Sequence, residues 1–316
     1  MDPPVVADLW QSCAGQFGPA MSVSPDLLEQ LVFAKPYFDY DGLIVAWDDD
    51  RPVGLVHAGF GPNEQKNRVS PQLGVTSIVL VRLDCEQTEV AAGLLERSEA
   101  YLRGRGAKVL YGGGIYPLNP FYLGLYGGSE LPGILESDQL AQQLYRSHDY
   151  QEIDRTLIFH RNLCDFEAPI DRFQMQIRRQ MIVEMTEDFL SRDWWEACTV
   201  GNFDLTRFDV VPRTGGRPVA SAVFRTMEPA GTVAMGRAVG LMEFYVEESF
   251  RQRGMAVFLM SEACRQFIRH GAVLVEAQCM HHNVAAVGLY RKLGFQQVGQ
   301  GSVFRKGRVE GSGVES

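Results

Sequence analysis

The chain repeats itself, and that narrows what it can fold into. RPVG at Arg51 returns as RPVA at Arg217, 166 residues on, and GAKVL at Gly106 returns as GAVLV at Gly271, 165 on. Asn119 and the GLY at Gly124 pair with Asn283 and the GLY at Gly288, both 164 apart. An offset that drifts by so little over most of a domain predicts two copies of one fold. The 316 residues give each copy enough chain to bury its own core. The expected division is 1–163 and 164–316, with Arg161 to Ile170, Pro169 near its end, as the linker.

Within the second copy, Val246 to Ala256 (VEESFRQRGMA) reads as a strand that enters a glycine-containing turn and then an apolar helix. Backbone N–H groups at a helix N-terminus have no partners within the helix, and the helix dipole adds partial positive charge there. Such a turn can hold a pyrophosphate, provided that backbone comes close to it, which Gly254 permits. The helix predicted from Met255 to His270 carries Leu259, Ala263 and Phe267 four apart, widened by Phe258 and Cys264, so that face is expected on a sheet. A strand from Ala272 to Cys279 follows, then Asn283 and the run AAVGLYRKLGF from Ala285 to Phe295.

Strand, RQRGMA, helix, strand, Asn, LYRKLGF: this order resembles the GNAT superfamily of acyl-CoA-dependent N-acetyltransferases. Arg251, Gly254 and Ala256 match the family's turn pattern, and Asn283 and Tyr290 its later positions, whereas Glu248 stands where many members carry Pro. The resemblance implies an α/β (α+β) chain of two tandem GNAT-like domains, each a mixed, mostly antiparallel twisted sheet flanked by helices. In plan it is similar to mycothiol synthase, which has two copies and one active half. Under the middle offset, the turn of the second copy falls on Glu86 to Ala91 of the first, placing Glu86 and Glu89 where Arg251 and Gly254 stand. Like charges about 4 Å apart repel by roughly 4 kcal/mol at an effective dielectric near 20. The first copy is therefore expected to be degenerate, leaving one acyl-CoA site in the second.

The remaining strands follow from alternation and turn signals. Leu43 to Trp47 and Val53 to Phe60 form a predicted hairpin, Val75 to Leu83 the strand before the degenerate turn, Thr88 to Arg103 a helix and Ala107 to Tyr111 a strand. Phe203 to Val211 and Pro218 to Met227 form the matching hairpin, and Val239 to Val246 the strand that feeds the turn. The tail from Gly307 is expected to fray.

The resemblance also implies roles. Acetyl-CoA, or another acyl-CoA, is the expected co-substrate, its pyrophosphate held by Arg251, Gln252, Arg253, Gly254, Met255 and Ala256. Main-chain groups of Tyr245 or Val246 would meet the acyl carbonyl. Tyr290 would protonate the departing thiolate, or else only pack its helix; a phenol near pKa 10 stays neutral at working pH. Asn283 orients the pantetheine arm or the next helix, or is an N-cap. Glu243 and Glu276 are the candidate bases for the amine proton, with ordered water or a plain ion pair as alternatives.

Other readings have less support. Gly112 to Gly114 precedes two prolines and cannot open a dinucleotide-binding helix. His281 and His282 beside Cys279 lack a further ligand at sensible spacing, so no metal is expected, and the six scattered cysteines suggest no disulfide framework. Trp194 and Trp195 are expected to pack a helix on the sheet, with the lining of a pocket as the alternative. Asn119 to Leu135, dense in glycine and aromatics and holding a Ser-Glu pair, is a structural loop, a source of acceptor contacts or an interface between the copies. A net charge of −9 argues against nucleic acid and favours a small amine-bearing, cationic acceptor. No run approaches the roughly 20 apolar residues of a membrane span, and the N-terminus lacks the marks of a signal peptide, so a cytoplasmic monomer or homodimer with no membrane partner is the expectation. A non-catalytic acyl-CoA sensor is the alternative function.

Overall fold

The computed structural model describes residues 3–13, 23–118, 121–125, 128–169, 171–187, 189–227 and 236–307. The chain opens with helices α1 (Pro3–Ser12) and α2 (Pro25–Leu28). Strands β1 (Leu43–Asp48), β2 (Arg51–Pro62) and β3 (Val69–Val81), helix α3 (Gln87–Gly104) and strand β4 (Val109–Gly112) come next. The first copy closes with β5 (Ile134–Leu135), α4 (Gln139–Ser147) and β6 (Gln151–Asn162). The second runs through α5 (Arg172–Gln180), β7 (Met181–Glu187), α6 (Trp194–Val200), β8 (Leu205–Pro212), β9 (Ala220–Met227) and β10 (Arg237–Val246). It ends with α7 (Met255–Arg269), β11 (Ala272–Met280), α8 (Val284–Lys292) and β12 (Gln296–Lys306).

The predicted hairpins, both crossover helices and the strands around them are present. α7 buries Phe258, Leu259, Ala263, Cys264 and Phe267 as its periodicity requires, with Phe267 packed edge-on against Phe208 and Phe224 of β8 and β9. Each fully buried aromatic or aliphatic side chain of this kind contributes about 1.5–3 kcal/mol.

The strands join one mixed sheet, in the order β1-β2-β3-β4-β12-β6-β11-β10-β9-β8-β7, with β5 beside β12. Pairing is antiparallel except at β3 with β4 and at β10 with β11. These parallel pairs are spanned by the crossover helices α3 and α7, as parallel connection demands. At the centre the copies exchange strands. β6, the last strand of the first copy, lies between β12 and β11, both of the second; β12 lies between β4 and β6, both of the first. The division expected at 163/164 falls just after β6, so it does not separate two sheets.

The exchange revises the internal alignment. Helix α8 has its counterpart in α4, not in the segment that follows Asn119; Asn119 and Tyr126 themselves lie outside the described residues. Asp138 and Asn283 are the N-caps, accepting from the N–H groups of Ala141 and Ala286, and Leu144-Tyr145-Arg146 matches Leu289-Tyr290-Arg291 at a separation of 145 residues. The packing is reciprocal. Tyr290 lies against Phe159 of β6, ring centroids 5.4 Å apart, and Tyr145 stacks on Phe304 of β12 at 5.5 Å. Up to β4 the offset is near 165 and from α4 onward it is 145, because the first copy holds residues 113–137 between β4 and Asp138 where the second has only His281 and His282.

Trp195 does not pack on the sheet of its own copy. It is fully buried in a cluster with Trp10, Tyr37 and Phe121 of the first copy, and its indole N–H donates to the Pro117 carbonyl at 3.0 Å. Buried Lys35 adds a bond to the Cys198 carbonyl at 2.9 Å, near the C-terminal end of α6, where the helix dipole favours a cation.

Candidate active site

The two parallel pairs part company. Pairing of β10 with β11 runs from Arg237 and Ala272 to Gly240 and Glu276, then stops. Beyond that point β10 continues along β9 to Val246, and β11 along β6 to Met280, so each keeps its outer neighbour while their inner edges diverge. A bulge between Leu241 and Glu243 bends β10 at the point of divergence. The result is a cleft with main-chain groups on both walls.

At the far end of the β10 wall, residues Glu247 to Gly254 form an eight-residue connection that contains a 3-10 turn, Glu248–Phe250. Gly254 is the N-cap of α7 with φ +80°, and no side chain caps the helix. The N–H groups of Met255, Ala256 and Val257 thus have no intrahelical acceptor and point out of the helix start, where an anion can be received. Arg251, Gln252 and Arg253 are exposed around it, and the Arg251 guanidinium donates to the Val246 carbonyl at 3.0 Å. The corresponding connection in the first copy, Arg82 to Glu86, has only five residues. Glu86 becomes the N-cap and Glu89 lies in the first turn of α3. The carboxylates are at the helix start as expected, but the turn itself has been shortened, so the residue-by-residue match of Glu86 to Arg251 does not hold.

Tyr290 is buried, with Phe159 and Phe295 against its ring. Burial pushes its phenol up from the ordinary value, and the neighbouring Cys279 and Glu130 push it further, so the hydroxyl stays protonated. The Asn283 side-chain oxygen accepts from the Ala286 N–H at 3.1 Å, which is the capping role. Tyr245 is exposed and Val246 half-buried at the end of β10. Glu243 forms an ion pair with Arg192, which also reaches Glu196 at 3.2 Å.

Glu276 is buried at the apex of the cleft. Its carboxylate accepts from the Ser129 N–H at 2.6 Å, His160 Nε2 at 2.9 Å and Gln278 Nε2 at 3.0 Å. Burial alone would push its pKa up, yet these donors hold it below its ordinary value. A carboxylate so engaged is a structural anchor and a poor base, contrary to the expectation that it takes a proton. His282 pairs with Asp154 at 2.6 Å, and among the described residues no group of three or more His, Cys, Asp or Glu is gathered around a point where a metal could sit.

The remaining residues of the cleft come from the first copy. Gly128, Ser129 and Glu130 enter the cleft on a loop held from both walls. Arg225 of β9, buried and lowered to about 10 by that burial against the pull of Glu276 and Glu130, donates to the Ser129 carbonyl at 3.0 Å and to that of Gly128. Gln278 of β11 donates to the Glu130 carbonyl at 3.1 Å. The glycine and aromatic density of Asn119 to Leu135 and its Ser-Glu pair, Ser129-Glu130, marked this stretch in the sequence, with three readings open.

Residues 173–295 match the sequence model of the Acetyltransferase (GNAT) family. No curated protein sequence matches the chain. Among solved structures, the chain is similar to a GCN5-related glucosamine N-acetyltransferase region of a fungal multi-domain GH3 β-N-acetylglucosaminidase (15% identity, TM-score 0.68), covering 96% of this chain but only 37% of that one. It is similar to a tandem GNAT protein from the clavulanic acid biosynthesis pathway (13% identity, TM-score 0.64, 98% and 96% covered). A GCN5-related N-acetyltransferase from Sphaerobacter thermophilus aligns at 14% identity and TM-score 0.62, covering 96% of this chain and 92% of that one. These likenesses carry the tandem fold.

Proposed function

We propose, from the GNAT acetyltransferase domain at residues 173–295, that this protein moves an acetyl or similar acyl group from CoA to the amine of a small molecule, using the cleft of the second copy. The observation that carries the reading is the pairing of diverging strands β10 and β11 with an uncapped helix start at Gly254. That arrangement fits a thioester lying along the cleft with its pyrophosphate on the N–H groups of Met255, Ala256 and Val257. Arg253 adds positive charge and Gln252 a neutral amide donor, and main chain at Tyr245 or Val246 polarises the acyl carbonyl.

The chemistry follows from what an amide requires. The amine lone pair attacks the thioester carbon, the C–N bond forms and the C–S bond breaks, the nitrogen gives up a proton to a base or water at the cleft, and the departing sulfur takes a proton from the Tyr290 hydroxyl. Asn283 caps α8 and so fixes the helix that presents Tyr290. The acidity of the chain, net charge −9, favours a cationic acceptor by raising its local concentration.

The test is calorimetric titration with acetyl-CoA of the wild type and of Arg253→Glu. Arg253 is exposed and lies beside the helix start, so the substitution reverses charge without disturbing packing. Gly254→Glu is less clean, because any side chain there is strained at φ +80° and its Cβ would lie 3.0 Å from Gln174 Nε2. One site per chain, weakened about tenfold or more in Arg253→Glu, is the expected result. Two equivalent sites would overturn the assignment to the second copy, and no binding would overturn the acyl-CoA reading.

A further inference from the structure

We propose that Glu130, brought into the second cleft by the first copy, accepts the proton of the attacking amine, so that one active site is built from both copies. The inference rests on the acyl-transfer reading above. Among the carboxylates at the cleft, a proton acceptor needs to be one that is not already committed to other donors. Glu276 is committed to three donors and Glu243 to Arg192. Among the described residues the Glu130 carboxylate has no hydrogen-bond or ion-pair partner.

Its position follows from the loop. The Glu130 carbonyl is tied to Gln278 of the β11 wall, while Glu130 lines a small cavity between Met242 and Glu243 of the β10 wall and Glu196 of α6, with Leu205 of β8 and Val223 of β9 beneath. It therefore bridges the diverging strands. The loop cannot swing away. The Ser129 N–H is bound by Glu276, the Gly128 and Ser129 carbonyls by Arg225, and the loop packs so tightly on β10 that a Cβ on Gly240 would lie 2.4 Å from the Ser129 Cβ. Glu130 and Tyr290 lie within electrostatic reach of each other, which sets a base for the amine and an acid for the sulfur in the same cleft.

The environment suits the role. Burial, and then the charges of Glu243 and Glu276, raise the Glu130 carboxyl to about 8, with Arg225 pulling the other way. The raised value means that the group is protonated below that pH and available as a base above it. In the transfer step the nitrogen loses its proton to Glu130 as the C–N bond forms, the sulfur leaves with the proton of Tyr290, and both side chains return to their starting states by exchange with water.

The experiment uses the whole protein and compares wild type with Glu130→Gln and Glu130→Asp. Acetyl-CoA affinity is measured by calorimetry, and CoA release is followed from pH 6 to 10 with whichever of spermidine and tyramine the wild type acetylates faster. Glu130→Gln is expected to bind acetyl-CoA within about twofold of wild type, to lose about 10²-fold in kcat and to lose the rise in kcat/KM near pH 8, with partial recovery in Glu130→Asp. The acceptor amine titrates in every variant, so the difference between profiles isolates Glu130. Wild-type kcat and an unchanged profile in Glu130→Gln would overturn the inference and leave acyl transfer standing. Failure of the wild type to bind acetyl-CoA would instead overturn the reading on which it rests.

Discussion

A phenol can assist a thiolate only if it arrives protonated, and at Tyr290 burial does more to secure this than any hydrogen bond. Withdrawal from water penalises the phenolate, and the carboxylate of Glu130 penalises it further. The ring, meanwhile, is held by Phe159 and Phe295, so removing the hydroxyl leaves the packing in place. Tyr290→Phe is therefore expected to keep acetyl-CoA affinity and thermal stability close to wild type while CoA release falls by about 10²-fold, read by calorimetry, melting and thiol detection. A variant that turns over at the wild-type rate would return Tyr290 to a packing role. The same reasoning separates the three carboxylates. Glu276, stabilised in its charged form by Ser129, His160 and Gln278, contributes stability above the ordinary carboxylate range and loses it as pH falls below that range, whereas Glu130 is destabilised when charged.

The exchanged strands β6 and β12 decide which copy supports which helix. Phe159 of β6 backs Tyr290 in the second copy, and Phe304 of β12 backs Tyr145 in the first. Trimming either ring to leucine removes similar buried surface, for a cost of about 1–3 kcal/mol. If only the second copy is active, Phe159→Leu should lower both melting temperature and kcat, and Phe304→Leu the melting temperature alone. Equal loss of kcat in both would argue that Tyr145 also serves a working site. Much at this scale was legible in advance. The helix α7 showed its period of apolar residues, Gly254 its turn, and the hairpins their alternation, since local sequence controls each. The α4 counterpart of α8 was legible too, in Leu144-Tyr145-Arg146 followed by Tyr150 and Gln151 against Leu289-Tyr290-Arg291 followed by Phe295 and Gln296. A single assumed offset hid it, because the long stretch before Asp138 shifts the register of the repeat. The engagement of Glu243 by Arg192 and the entry of Glu130 were not legible, since both depend on contacts far apart in the chain that no local pattern encodes.

Across the whole molecule the copies do not stand as two modules joined by a linker. Each strand at the centre has both its neighbours in the other copy. In a fragment of residues 1–163, β6 would lose β11 and β12, and in a fragment of residues 164–316, β12 would lose β4, β5 and β6. Each fragment would also expose a face built for the other, including the cluster around Trp195 and the cleft that receives Ser129. Strands with unpaired backbone on both sides are costly and prone to aggregate. The two fragments, produced separately, are therefore expected to lack a cooperative thermal transition by circular dichroism. Produced together, they are expected to form a one-to-one complex by size-exclusion chromatography that restores the transition and acetyl-CoA binding. A fragment of residues 164–316 that melted cooperatively on its own and turned over at the rate of the intact chain would show that neither β6 nor Glu130 is needed, and would restore the simpler picture of an active copy beside a passive one.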